Sequence, residues 1–227
     1  YRVWDRFMEI DKAMKVIHTD YQDDENLIER LRREVLVMAR LSIPEVVRIY
    51  DVAFTGAVPN LTMEYVEGDD LAKHLLKKGK LPEEEVIEIA KKIVKGMAAV
   101  HQENVLHLDL KPENIWLTHS GVYKLMDFGI AQVQSTSQRT KTGATMGTAY
   151  YMAPEQLKGQ KDIDGRADQY ALAVLVYELL SGEVPAGRIE PLHELDKTIP
   201  KAISAIVDKG LAARPDNRYA SIEEFTN

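Results

Sequence analysis

No cysteine occurs among the 227 residues, so disulfide staples and thiolate metal sites are excluded and the fold must hold without covalent cross-links. That absence fits a reducing compartment, and a cytoplasmic location is the expectation. No apolar run approaches the roughly 18 to 20 residues that a membrane-spanning helix needs; the longest is Tyr170 to Tyr177, so the segment carries no membrane span. Basic residues are outnumbered, 29 Lys and Arg against 36 Asp and Glu, giving a net charge of -7. A surface of that sign repels a phosphate backbone, and nucleic acid is not an expected partner. Internal repeats and low-complexity tracts are absent, and Tyr1 is not followed by the basic, apolar and small-residue succession of a signal peptide.

What is present is a soluble composition, 45% apolar and 29% charged, in a chain long enough for one domain or two closely joined lobes. "AMKVI" at 13 to 17 reads as a strand. Ile28, Leu31, Val35 and Met38 then recur at helical spacing. Val46 to Val52 and Leu61 to Val66, separated by the turn signal "TGAVPN", read as paired antiparallel strands. Beyond "VEGDD" the pattern turns helical. Pro82 and three glutamates open a helix carrying Val86, Ile89, Ala90, Ile93, Val94 and Met97. "ADQYALAVLVYELLSG" is apolar nearly all round and reads as a buried helix ended by Gly182. Residues 132 to 149, rich in Ser, Thr, Gln and Gly, read as a long exposed loop.

Two short runs carry chemistry. In "HLDLKPEN", residues 107 to 114, Pro112 forbids regular helix and leaves an irregular loop that can aim Asp109, Lys111 and Asn114 into one cleft. Aspartate can take a proton from an alcohol, lysine can neutralise a phosphate, and asparagine can offer a metal its carbonyl oxygen. "MDFGIA" places Asp127 beside a glycine after the apolar strand "VYKL", a setting for a metal ligand on a hinge. Taken singly, each run is better read as a solvated polar turn.

Their combination is more specific. Lys15 in "AMK", Glu34 on the first helix, "HLDLKPEN", "DFG" at 127 to 129, "APE" at 153 to 155 and the arginine of "RPDNRY" stand in the identity, order and spacing of the eukaryotic-type protein kinases. In style the chain resembles the bacterial Ser/Thr members of that family. The resemblance implies an α+β, two-lobed fold, with a small antiparallel-sheet lobe carrying one helix over residues 1–66 and a larger, mainly helical lobe over 67–227. It also implies ATP and Mg2+ as cofactors and a protein Ser or Thr hydroxyl as acceptor. Lys15 would hold the α and β phosphates and be held by Glu34; Asp109 would orient the hydroxyl and take its proton; Lys111 would neutralise the γ phosphate; Asn114 and Asp127 would hold Mg2+. Met63 would guard the back of the adenine pocket, with the backbone of Glu64 and Val66 along the adenine edge and Trp116 beneath the ring. Thr148 would stand beside Asp109 and Lys111. Glu155, Arg218 and Asp168 would support the site without doing chemistry, and Met38, Ile49, His107 and Phe128 would form the apolar stack joining the lobes.

Three departures qualify the resemblance. The Gly-rich loop that covers the phosphates would lie before Tyr1, and "SIEEFTN" reads as the interior of a helix, so more chain is expected on both sides. Leu108 replaces the arginine that usually precedes the catalytic aspartate and has no donor for a loop phosphate, so activation independent of loop phosphorylation is expected despite Ser135, Thr136, Ser137, Thr140, Thr142 and Thr145. Trp116 replaces an aliphatic residue and must stack on adenine, crowd it, or turn away into the lobe. The readings set against a protein kinase are a pseudokinase acting as a nucleotide-binding scaffold and a small-molecule kinase of similar fold. The intact set Lys15, Asp109, Asn114 and Asp127 opposes the first, and "GTAYYMAPE" the second.

Overall fold

The structure, a computed structural model, describes residues 1–16, 32, 35–53, 60–128, 147–160, 162–187 and 189–226. The expected Glu34, Gly129 and the six loop acceptors between 135 and 145 lie outside these residues, as does the side chain of Thr148.

The N-terminal part is a four-stranded antiparallel sheet. β1 (Arg2–Asp5) and β2 (Ile10–Val16) form a hairpin whose turn is set by Asp5: its carboxylate accepts from the N–H groups of Phe7 and Met8 at 2.9 and 3.0 Å. Helical residues 35–40, the described part of α1, bury Val35 and Met38, in line with the periodicity. β3 (Ile49–Ala53) and β4 (Asn60–Glu64) complete the sheet in the order β1-β2-β4-β3, with Lys15 of β2 opposite Leu61 of β4. The antiparallel pair expected from Val46 to Val66 is present but shorter at both ends. Val46 and Val47 leave it: Val46 forms an isolated parallel bridge with Leu125, and Val47 N–H donates to the Leu125 carbonyl at 3.0 Å. An apolar dipeptide can satisfy its backbone on either sheet, and the run itself does not say which.

A second sheet starts at the composition shift near residue 68. β5 (Gly68–Asp70) pairs with β6 (Ile115–Thr118), which pairs with β7 (Tyr123–Leu125). Asp70 also caps α2 (Leu71–Lys78), accepting from Lys73 N–H at 2.8 Å. α3 (Glu83–Gln102), α4 (Pro154–Leu157), α5 (Arg166–Ser181), α6 (Leu192–Leu195) and α7 (Lys201–Gly210) follow. α5 is the central pillar, with Leu172, Leu175 and Leu179 fully buried; Gly182 ends it at φ 84°, a left-handed value that glycine adopts without a Cβ penalty. The helix expected at "SIEEFTN" is instead a single tight 3-10 turn over Glu223–Thr226. Among the described residues no helix is long and apolar enough to cross a membrane.

Candidate active site

Strand β2, half-buried along its whole length, carries Lys15, whose Nζ meets Asp127 Oδ1 at 2.8 Å. Both side chains are about two-fifths exposed, 41% and 43%. A pair so open to solvent contributes little to stability and separates at small cost. Asp127 has φ 47°, and Leu108, beside Asp109, has φ 58°. A left-handed backbone at a carboxylate and at a branched residue is strained, and strain of this kind persists only where surrounding bonds enforce it.

Those bonds are identifiable. Asp168, in the first turn of α5 and fully buried, accepts from the N–H groups of His107 at 2.9 Å and Leu108 at 2.7 Å, and pairs with His101 Nε2 at 2.8 Å. From the other side the Gln156 amide of α4 donates to the Leu108 carbonyl at 3.1 Å while its oxygen accepts from Ala153 N–H at 2.9 Å. Held at both peptide edges, residue 108 turns Asp109 outward. Pro112 opens a 3-10 turn that folds Asn114 back, so that both its amide contacts go to Asp109: 2.8 Å to the carbonyl and 2.9 Å to Oδ2. Lys111 Nζ lies 3.1 Å from the same Oδ2. The three residues of "HLDLKPEN" therefore meet around one carboxylate.

His107 is packing, as expected. Its ring is buried, stands 4.6 Å from the Phe128 ring and engages the Met126 carbonyl through Nε2 at 3.0 Å. Burial pushes the imidazole below its ordinary value, against the pull of the Asp168, Asp109 and Asp127 carboxylates. A depressed folded value means that stability is fully present above the unfolded value of about 6.5 and is lost as pH falls below it. Urea midpoints should therefore drop on acidification from about pH 6.5 to 5, above the carboxylate range, and His107→Phe should flatten that segment; an unchanged pH slope in the variant would refute the assignment. Met38, Ile49 and Phe128 are likewise buried.

The remaining sites face the hinge between the sheets. Met63 is buried in β4, and Val66 lies in the extended stretch between β4 and β5, outside both ladders. Asp70, Trp116 and Lys124 are direct cross-strand partners on β5, β6 and β7, and so share one sheet face. Lys124 Nζ reaches Glu64 Oε2 at 2.9 Å, which turns that face toward the hinge. Ile115 takes the inward position and is fully buried, while the Trp116 indole takes the hinge-facing side with Lys73 Nζ 5.6 Å from its ring. The indole is at the same time partly buried against the hydrophobic core. Glu155 and Arg218 form a bidentate pair at 2.6 and 2.9 Å, and Arg218 also donates to the carbonyls of Ala212 and Arg166, each at 2.8 Å.

Sequence reasoning missed Gln156, His101, Lys73 and Lys124. Asp70 and its helix could have been found, since an aspartate before an apolar periodic run is a capping signal. The other four carry no local pattern; only contact identifies them.

Comparison with known proteins agrees with this geometry. Residues 1–225 match the family model described as protein kinase domain. The chain is 37% identical over 235 residues to the serine/threonine-protein kinase PknL of Mycobacterium tuberculosis, covering 97% of this chain and 58% of that protein. It is 33% identical over 227 residues to the probable serine/threonine-protein kinase CPE1738 of Clostridium perfringens, covering 94% and 33%. The chain thus spans only a third to under three-fifths of the length of these relatives. Among solved structures the Mycobacterium tuberculosis PknI kinase domain superposes with a TM-score of 0.81 at 30% identity, covering all of this chain and 87% of that one. On the family match, which takes in both sheets and every described site residue, this chain belongs to the protein kinase domain family.

Proposed function

We propose that the chain is a Ser/Thr protein kinase domain that moves the γ phosphoryl group of ATP to a protein Ser or Thr hydroxyl with Mg2+, its two lobes being residues 1–66 and 67–227. The observation that carries the reading is the convergence of Lys15 from one sheet on Asp127 at 2.8 Å, beside the Asp109, Lys111 and Asn114 cluster.

The donor set suits magnesium. Both Asn114 amide contacts go to Asp109 through nitrogen, which leaves the amide oxygen to ligate, and Asp127 adds a carboxylate. Among the described residues no group of three or more His, Cys, Asp and Glu could hold a metal alone. Two hard oxygen ligands completed by phosphate is the usual arrangement for this ion. When held by Asn114 and Asp127, the ion would neutralise charge developing on the phosphates. Lys15 leaves Asp127 for the α and β phosphates, a transfer that its solvent-exposed pairing makes cheap. The backbone of Glu64 and Val66 would hold the adenine edge, with Met63 and Trp116 lining the pocket. Asp109, held by Asn114 and Lys111, would accept the acceptor hydroxyl's proton as that oxygen attacks the γ phosphorus and the bond from the γ phosphorus to the bridging oxygen breaks, ADP leaving with the bridging oxygen while Lys111 neutralises the transferred group. A cytoplasmic setting is part of the same reading.

The test is transfer of labelled γ phosphate to a Ser/Thr protein substrate, with Mg2+ omitted in a parallel reaction. Transfer absent from both, or equal in both, sinks the proposal. Leu108 predicts a second result: phosphatase treatment leaves the rate unchanged, whereas loss of activity on stripping loop phosphates would reinstate the usual mode of activation.

A further inference from the structure

Resting on the kinase reading, we propose that Lys124 is a positioning residue that locks the hinge to the strand leading into Asp127, so that the nucleobase end and the metal end of the site move as one body. The Lys124 to Glu64 pair, at 2.9 Å, is largely shielded, with side chains 13% and 29% exposed. The same Glu64 oxygen accepts from Arg48 N–H at 3.3 Å, and Glu64 N–H donates to the Arg48 carbonyl at 2.8 Å. Glu64 is therefore fixed to the small sheet through its backbone and to β7 through its carboxylate.

Residues 124 to 127 act as a rail, each gripped by a different part of the molecule. Lys124 holds the hinge. Leu125 N–H donates to the Glu45 carbonyl at 2.8 Å and its own carbonyl accepts from Val47 N–H at 3.0 Å, tying the rail to the segment before β3. Met126 N–H donates to the Asn114 carbonyl at 2.8 Å, and its carbonyl engages His107. Asp127 meets Lys15. Helix α3 presses on the back of the rail: a Cβ at Gly96 would stand 2.8 Å from Leu125 Cδ1 and 3.3 Å from Glu45, so the rail has no room to slide. Glu45 is itself buried and tied to Lys95 of α3 at 2.7 Å.

A shielded ion pair returns little net folding energy, because desolvation offsets the attraction. What Lys124 supplies instead is geometry: the side chain links two backbones that share no hydrogen bond with each other at this point. The pair coexists with a buried Phe128 packed on His107.

The experiment uses Lys124→Met, Glu64→Gln, the double variant and the exchanged pair Lys124→Glu with Glu64→Lys. Hydrogen exchange on the nucleotide-free protein should quicken in Lys124→Met both at 64 to 66 and at 125 to 127. A simple surface link would quicken only the hinge, and that result overturns the proposal. In steady state, Lys124→Met should raise KM for ATP about fivefold to tenfold with kcat and the KM for protein substrate within about twofold. The double variant should be no worse than the poorer single, and the exchanged pair should recover most of the loss. Single effects below about twofold, or effects that multiply in the double, overturn the coupling. Absence of phosphotransfer by the unaltered protein would count against the proposed function, while the exchange pattern would still decide the role of Lys124.

Discussion

Asp109→Asn lowers kcat for phosphotransfer by about 10² to 10⁴, the range that a positioned general base contributes. The substitution is nearly isosteric, and the loop that carries residue 109 is held elsewhere: by Asp168 at the N–H groups of 107 and 108, and by Gln156 at the 108 carbonyl. The backbone should therefore keep its course. The amide oxygen at 109 can still accept from Asn114, yet it no longer takes a proton from an attacking hydroxyl. Initial rates against protein substrate measure the loss, and stabilisation by saturating ATP with Mg2+ measures whether the nucleotide still binds. Ligand at 100 times its dissociation constant adds about 2.7 kcal/mol to stability, and the variant should keep that increment. A variant within about tenfold of the unaltered rate would remove Asp109 from the chemistry.

Arg218→Met destabilises the fold by about 3 to 5 kcal/mol, as expected when one partner of a buried pair is deleted. The Arg218 side chain is fully buried and that of Glu155 is 5% exposed, so the carboxylate left behind has no solvent to turn to. Arg218 also satisfies the Ala212 and Arg166 carbonyls, which lose their donor in the same step. Glu155→Gln with Arg218→Met should recover part of the loss, because an uncharged amide tolerates burial better than a carboxylate. Urea unfolding reads both. A single-variant loss below about 1 kcal/mol would mean that water reaches the pair. The consequence reaches the site through α4: Glu155 neighbours Gln156, whose amide holds the Leu108 peptide.

The parts legible in the sequence were those governed by local rules. The helix from Glu83, with its apolar stripe, and the buried helix ended by Gly182 were set by spacing and by a glycine that alone adopts φ 84° at no cost. That Asp109, Lys111 and Asn114 could share one cleft was suggested by a proline that bars helix between them, their roles by the resemblance, and contact brought all three to one carboxylate. Glu34 was expected from the resemblance alone, and lies outside the described residues.

The tertiary structure decided what depends on partners far along the chain. Val46 and Val47 read as part of a strand with Val52 and instead serve Leu125, because a backbone amide bonds whichever edge reaches it. The side that Trp116 takes followed from its register against Asp70 and Lys124, and register is a property of paired strands, not of one. The link from Lys124 to Glu64 spans 60 positions of sequence, and no periodicity carries over such a distance. By itself the sequence determined the helices, caps and the irregular loop at Pro112, since spacing, capping and proline act over a few residues, while the cleft residues were expectations from the resemblance. Only the tertiary structure decided which of them are held together, because that depends on two sheets and a central helix meeting around them.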